Sequence, residues 1–364
     1  MEYDCLILGA GLSGLYAALQ LQRRGLRCAV LEARDRLGGR ILGLSHVDSG
    51  ERFDLGPTWL WPEFQPLIAR LAQALDVPLF AQQTNGAALY EDAEHATPLR
   101  IEGESPNAHS YRVTGGAARL IDALEAQLTP NSVRTGRRVV SLENRSDHVA
   151  VRTTGTDGSE ERYSAPHVVS TIPVRLLAES VEFLPALPSA HARLFATTPT
   201  WMAAHAKFIA FFDTPFWRTA ELSGEVFSRR GPLTEIYDAS PLKGGPYALF
   251  GFFGLAAHAR RSLGRETLAQ RSLEQLQRLF GKPASRPLTW EIKDWSTDSL
   301  TATAADTTPP AGHPAYGLSE QMRALWDGRL VFAGSETSAG LGGYLEGALE
   351  SAVTASKLII SAGG

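Results

Sequence analysis

Three glycines at the first turn of the chain constrain its fold most. Leu6-Ile7-Leu8 is a continuous apolar run, as a strand buried on both faces requires. It passes straight into Gly9-Ala10-Gly11-Leu12-Ser13-Gly14. Leu15, Ala18, Leu19 and Leu21 then recur at helical spacing, Gly25 offers a stop, and Cys28-Ala29-Val30-Leu31 reads as a second strand. In such a strand–turn–helix unit Gly9 permits the tight turn, Gly11 lets the backbone approach a pyrophosphate, and Gly14 brings helix against strand. The helix N-terminus adds free N–H groups and a positive dipole. Glu32 ends the second strand, where a carboxylate can bind ribose hydroxyls. The unit predicts a dinucleotide site on a parallel sheet. The competing reading is a glycine-rich turn with an exposed Glu32.

The rest of the composition bounds the partners. A length of 364 residues suggests about two domains. With 35 Lys+Arg, 39 Asp+Glu and a net charge of −4, the chain lacks the basic footprint of a nucleic-acid binder. At 44% hydrophobic residues it has ample side chain to offset chain entropy, which excludes disorder as its main state. Cys5 and Cys28 cannot form a disulfide framework and read as small buried hydrophobes of a reducing compartment. No metal-ligand spacing surrounds them, so no metal is expected. The apolar run Cys5 to Leu8 is too short for a signal-peptide core, and Leu358-Ile359-Ile360 is too short to span a bilayer. A cytoplasmic protein without a membrane anchor is expected; the oligomeric state stays open.

Further along, Phe64, Leu67, Ile68, Leu71, Ala72 and Leu75 predict an amphipathic helix opened by Pro62. Residues 81–110 show no strong period. Gly115-Gly116 precedes a helix with Leu120, Ile121, Leu124 and Leu128 on one face. Residues 133–172 read as strands and turns, 203–253 as aromatic-rich sheet, and Glu266 to Phe280 as helix. The end repeats the opening logic: strand Leu330-Val331-Phe332, a glycine-rich turn, then a helix with Leu345, Ala348, Leu349, Ala352 and Val353 on one face.

Directly after the acid comes Ala33-Arg34-Asp35-Arg36-Leu37-Gly38-Gly39-Arg40, in which an Arg behind a Gly-Gly pair can reach back to a pyrophosphate. This continuation resembles the extended FAD fingerprint of the flavin monoamine oxidase family, the FAD-dependent amine oxidases that include monoamine and polyamine oxidases. The resemblance recurs. Phe53-Asp54-Leu55-Gly56-Pro57-Thr58-Trp59 looks like the loop beside the flavin ring, and Val139 lies where the family's backbone meets the adenine. Ile172-Pro173 matches the end of the returning strand. Ala333-Gly334-Ser335-Glu336-Thr337 with Gly343-Tyr344-Leu345-Glu346-Gly347-Ala348 resembles the closing signature. There the acid at Glu336 helps bind the ribityl and phosphate region, and the helix that takes in Leu345 points its N-terminus at the flavin's pyrimidine edge. A helix N-terminus stabilises the negative charge of a reduced flavin.

Three residues carry the implied catalysis. Lys207 sits in an otherwise almost uncharged run, Ala203 to Phe212, sharing a face with Ile209 and Phe211. Buried there it needs a partner. By resemblance it is the lysine that precedes Phe216-Trp217 and holds a water against flavin N5. Tyr344 matches one wall of the aromatic cage that flanks the substrate amine, and Trp295 the tryptophan beside the flavin. The chain departs from the pattern at Ala304 and Ala305, where the opposite cage wall would fall. Ala304 also stands near the family's flavin-linking cysteine, so FAD is expected to be non-covalent. Gly340-Leu341-Gly342 replaces bulkier residues, and the segment between Trp59 and Gly115 is short, which makes this a shortened member. Trp59, Trp61, Phe64, Trp201, Phe211, Phe227 and Tyr237 are candidate pocket walls.

The expected fold is α/β, a Rossmann-type FAD-binding domain with a second, mixed α+β substrate domain. The expected boundaries are 1–63, 111–197 and 294–364 for the first and 64–110 and 198–293 for the second. The resemblance implies oxidation of a small amine to an imine, with hydride transfer to flavin N5 and reoxidation by O2 to H2O2 or by another acceptor. A flavin desaturase or dehydrogenase acting on carbon–carbon bonds (protoporphyrinogen oxidase- or phytoene desaturase-like) and a non-catalytic FAD protein are the alternatives.

Overall fold

The computed structural model describes residues 2–46, 49–95 and 97–362. The opening strand, Cys5–Leu8, is the centre of a six-stranded sheet. It pairs in parallel with Cys28–Leu31 on one side and His167–Ser170 on the other. Val133–Arg134 and Leu330–Phe332 extend the parallel order outward, and Ala324–Leu325 closes one edge antiparallel. Because side chains alternate along a strand, the apolar runs split between two cores. Cys5, Ile7, Cys28, Val30, Val169 and Val331 pack with the helices Leu12–Gln22, Ala118–Glu125 and Leu345–Ala362. Leu6, Leu8, Ala29, Leu31, Val168 and Leu330 face a four-stranded sheet that includes Arg137–Asn144 and Val149–Gly155. Both cysteines are buried and free; Cys5 and Cys28 are cross-strand partners. The neighbouring Cys28 thiol, together with burial, pushes the Cys5 thiol well up, which keeps it inert.

A second sheet of seven strands runs in the order Thr289–Asp294, Ala206–Phe212, Tyr247–Phe253, Leu233–Asp238, Leu222–Ser228, Ala87–Glu91, Leu99–Ile101. Phe208, Ala210 and Phe212 point to one face, against the helix Arg265–Phe280. Ile209, Phe211, Tyr237 and Phe250 point to the other, where Phe53 and Leu55 meet them. The Asp54–Thr58 loop of the first unit therefore lies directly on the second sheet.

Three local expectations need correction. The helix expected from Pro62 begins at Pro66 and ends at Ala74. Trp61 to Gln65 is a turn, closed by the Trp61 N–H donating to Gln65 Oε1 at 3.1 Å. Phe64 is 68% exposed, so it belongs neither to the helix face nor to a pocket wall. The start at Pro66 is fixed from outside: the Leu67 and Ile68 amides donate to Glu346 Oε1 and Oε2, each at 2.8 Å. Its Ile68, Leu71 and Ala72 join the core of the parallel sheet. Leu128 lies beyond its helix, which stops at Glu125, although it is buried. The segment 81–110, without a visible period, supplies the strand Ala87–Glu91 and, outside it at the sheet edge, Leu99–Ile101, which is exposed throughout. An edge strand with no buried face has no reason to alternate.

Candidate active site

A cavity of about 430 Å³ runs from the opening glycine turn to the seven-stranded sheet. At its first end the glycines act in different ways. A Cβ on Gly14 would stand 1.9 Å from the Gly9 carbonyl oxygen, so the helix approaches the turn as closely as backbone permits. A Cβ on Gly11 would meet only the Gly38 oxygen, at 3.9 Å. The protein leaves that space clear, and Gly11 borders the cavity. Gly38 donates its N–H to Ala10 O at 2.8 Å, joining the second glycine turn to the first, and Gly38 and Gly39 both line the cavity. Glu32 is buried with Oε2 accepting from the Ala10 amide at 2.8 Å and Oε1 from the Arg34 amide at 2.9 Å. Val139 reaches the cavity beside a bulge in its strand. A bare glycine floor at a helix N-terminus, with an acid at the end of the second strand, fits a dinucleotide.

Of the three arginines in this segment, Arg34 and Arg40 are committed to side chains. Arg40 grips Glu336 from both nitrogens, Nη1 to Oε1 at 2.5 Å and Nη2 to Oε2 at 2.9 Å, and also bonds Ser335 Oγ and the Trp201 carbonyl. Burial raises the Glu336 carboxyl, but Arg40 outweighs it and holds the group below the usual range. Arg34 Nη2 donates to Asp298 Oδ1 at 2.7 Å and Thr301 Oγ1 at 2.9 Å. Gly334 and Leu345, at the start of the last helix, border the same cavity.

At the far end Lys207 is almost completely buried. Its Nζ donates to Asp54 O at 2.7 Å, Thr58 Oγ1 at 2.5 Å and Gly56 O at 3.2 Å, and lies 3.9 Å from the centre of the Phe250 ring. Burial lowers its pKa from 10.5 to about 7, against the pull of Asp54. Trp295 donates from Nε1 to Leu55 O at 3.1 Å. Lys207 and Trp295 thus both clamp the loop bearing Gly56, Pro57, Thr58 and Trp59, and all six residues line the cavity. Three acceptors already occupy the three donors of the ammonium. The long contact to Gly56 is the one that a water could replace.

Tyr344 borders the cavity, and its ring stacks on His313 with centroids 5.0 Å apart and planes 12° from parallel. His313 in turn lies 4.5 Å from the Trp201 ring, while Trp61 meets Tyr344 edge-on at 6.3 Å. Ala304 and Ala305 are exposed in the 3₁₀ turn Ala304–Thr307, which Arg175 anchors through Asp306 at 2.5 Å. The Tyr344 ring is instead backed by His313 of a later loop, a contact that the sequence reading missed. The only local signal is the run Pro309-Pro310-Ala311-Gly312-His313-Pro314. His205 was also missed: it lines the cavity with Nδ1 unpartnered, and burial lowers its pKa. Of the candidate walls, Trp59, Trp61 and Trp201 border the cavity. Phe211 and Tyr237 belong to the core behind it, and Phe227 lies beside Tyr237.

Residues 84–360 match the family described as flavin containing amine oxidoreductase, and residues 7–75 match an NAD(P)-binding Rossmann-like domain. The chain belongs to the flavin-containing amine oxidoreductase family. It is 25% identical to the flavin-containing amine oxidase B of Sus scrofa, across 99% of this chain and 86% of that protein. It is also 25% identical to a probable flavin-containing monoamine oxidase A of Dictyostelium discoideum, across 98% and 97% respectively. Cyclohexylamine oxidase from Brevibacterium oxydans shares the fold at TM-score 0.83 and 19% identity, over 100% of this chain and 99% of that one. A putrescine oxidase bound to putrescine does so at 0.82 and 20%, over 99% of each chain. As a member of the flavin-containing amine oxidoreductases the protein is an oxidoreductase whose cofactor is FAD, built on a Rossmann-type α/β fold. The glycine floor, Glu32 and the helix start at Leu345 all border the same cavity. Among the described residues no helix is long and apolar enough to cross a membrane.

Proposed function

We propose that this family member oxidises a small amine to an imine, which water then hydrolyses. When bound, FAD supplies the two-electron acceptor: the C–H next to nitrogen delivers a hydride to flavin N5, and O2 takes up the electrons as H2O2. The chain's own residues supply position and field. Gly9, Gly11, Gly14, Gly38 and Gly39 would floor the pyrophosphate, Glu32 would hold ribose hydroxyls, and Val139 would border the adenine. Arg34, Arg40, Gly334 and Glu336 would shape the ribityl and phosphate region. The amides at Leu345 would stabilise negative charge at the pyrimidine edge. Gly56, Pro57, Thr58 and Trp59 would lie beside the ring, held by Lys207 and Trp295. A water that displaced the Gly56 contact would be held by Lys207 at N5.

The observation that carries this reading is the Tyr344 ring, which borders the same cavity as Lys207 and Trp295. The face of an aromatic ring attracts an amine nitrogen and aligns its α-carbon. Tyr344 would form one wall of the slot, its ring held in place by the His313 ring stacked against it. No general base is needed if the amine enters neutral, so the rate should rise with pH through the substrate's own pKa. On this reading residues 1–63, 111–197 and 294–364 form the flavin part, and 64–110 with 198–293 the substrate part. The test is anaerobic mixing of the FAD-loaded protein with amines. Bleaching of the visible flavin band, and peroxide release once air is admitted, are expected. Bleaching by a carbon–carbon substrate and by no amine would move the assignment to a dehydrogenase of that class.

A further inference from the structure

One buried carboxylate stands at the start of two helices. Glu346 is 2% exposed and belongs to the first turn of the helix Leu345–Ala362. Its two oxygens accept the Leu67 and Ile68 amides of the helix Pro66–Ala74, each at 2.8 Å. That helix does not cap itself: Gln65 is its N-cap residue, and the Gln65 side chain bonds none of its amides. Pro66 has no N–H to satisfy, so Leu67 and Ile68 carry the first free donors, and Glu346 takes both. A carboxylate can do this because both of its oxygens accept. A carboxamide would turn an NH2 donor against one of the two amides.

The buried Gln65 side chain is used in the other direction, with Oε1 accepting the Trp61 N–H at 3.1 Å. The Trp61 carbonyl accepts from the Phe64 and Gln65 amides at 2.9 and 2.8 Å. On its other side Leu60 exchanges both backbone bonds with Tyr111. Trp61 therefore rides on a turn closed onto the start of the helix that Glu346 caps. The Trp61 and Tyr344 rings both line the cavity, with centroids 6.3 Å apart and planes at 88°. Tyr344 stands two residues before Glu346. One carboxylate thus ties the backbones that carry both rings, Tyr344 through its own chain and Trp61 through Leu67, Ile68 and Gln65. Two rings at a right angle form a corner whose opening is set by where each backbone stands. A displacement of about 1 Å is enough to disturb how a substrate sits.

We propose that Glu346 is a positioning residue for the substrate: it fixes the corner between Trp61 and Tyr344, and Trp61 is the wall that sets how bulky an amine the cavity admits. This rests on the amine-oxidation reading above, which puts the amine at Tyr344.

The test compares FAD-loaded wild type, Glu346→Gln, Trp61→Leu and the double variant on propylamine and benzylamine. Glu346→Gln should raise the benzylamine KM by about tenfold, the order of one lost buried hydrogen bond. It should act on KM rather than kcat, raise the propylamine KM by less, and leave FAD affinity and the visible flavin band in place. In the Trp61→Leu background the same substitution should hardly move KM, because the wall it positions is gone. Hydrogen exchange at the Leu67 and Ile68 amides needs no substrate and should quicken in Glu346→Gln. Glu346→Asp, which keeps the carboxylate on a shorter stem, is the second variant should the first fail to fold, with a smaller effect of the same kind. Additive KM effects in the double variant, equal effects on both amines, or a displaced flavin band with KM unchanged would overturn the positioning role. Calorimetric titration of benzylamine separates the two readings. Benzylamine bound with the same coupling but not oxidised would uphold the corner and overturn the oxidation reading, and benzylamine neither bound nor oxidised would overturn both.

Discussion

At the scale of single residues the chemistry turns on Lys207. In the unfolded chain its amine titrates near 10.5, and in the fold burial brings it to about 7. Between those values the unfolded chain holds a proton that the folded one has released, so stability rises as pH climbs through that window. Asp54 is also shifted, upward by burial, and it is present in the wild type and in Lys207→Met alike. From about pH 7 to about pH 10 the urea midpoint of the wild type should therefore rise relative to that of Lys207→Met. Parallel midpoints across that range would show that the buried amine does not titrate there. His313 makes a different prediction. An aromatic stack of this kind is worth about 0.5–1.5 kcal/mol. On the proposed role His313→Ala should raise the amine KM by about twofold to tenfold, and His313→Phe should restore it. Steady-state kinetics on one amine decide this; an unchanged KM reduces the stack to surface packing.

At the scale of elements, the strand–turn–helix unit separates two functions that its glycines share by name. Gly14→Ala places a methyl group 1.9 Å from the Gly9 oxygen, so the helix has to move. Overpacking of that kind costs about 1–3 kcal/mol, and the apo-protein should melt earlier. Gly11→Ala meets nothing closer than 3.9 Å. Its apo-protein should melt like the wild type, yet bind FAD at least about tenfold more weakly, because the methyl group occupies the phosphate floor. Apo melting curves and FAD titrations of both variants check the contrast. This unit was legible because a strand buried on both faces writes an unbroken apolar run and a tight turn demands glycine. Lys207 was legible because a lone charge in such a run is costly. What stayed hidden is set by partners distant in the chain. The Pro66 helix start depends on Glu346, Arg40 is taken by Glu336, and His313 reaches Tyr344 from a loop with no period. The edge strand Leu99–Ile101 was hidden for another reason, since exposure removes alternation.

At the scale of the whole molecule, FAD would lie between two sheets that are already tied to each other by protein groups. Lys207 of the seven-stranded sheet binds the Asp54–Thr58 loop, and Trp295 binds Leu55. Glu336 joins Arg40 and the Trp201 amide. Several of these bonds are buried, and a buried bond cannot be exchanged freely for water, so one sheet cannot open without uncovering polar groups of the other. Removal of FAD should therefore lower stability without dividing the transition. A ligand that binds only the folded state adds RT ln(1 + [L]/Kd), about 2.7 kcal/mol at a hundred times Kd. Calorimetry of the apo-protein should show a single transition, displaced downward from that of the loaded protein by an amount that grows with the logarithm of added FAD. Two resolved apo transitions would mean that the cofactor, and not the Lys207 clamp, couples the sheets. In that case Lys207→Met should leave the loaded protein's transition unaltered, whereas the clamp predicts that the same substitution splits or broadens it.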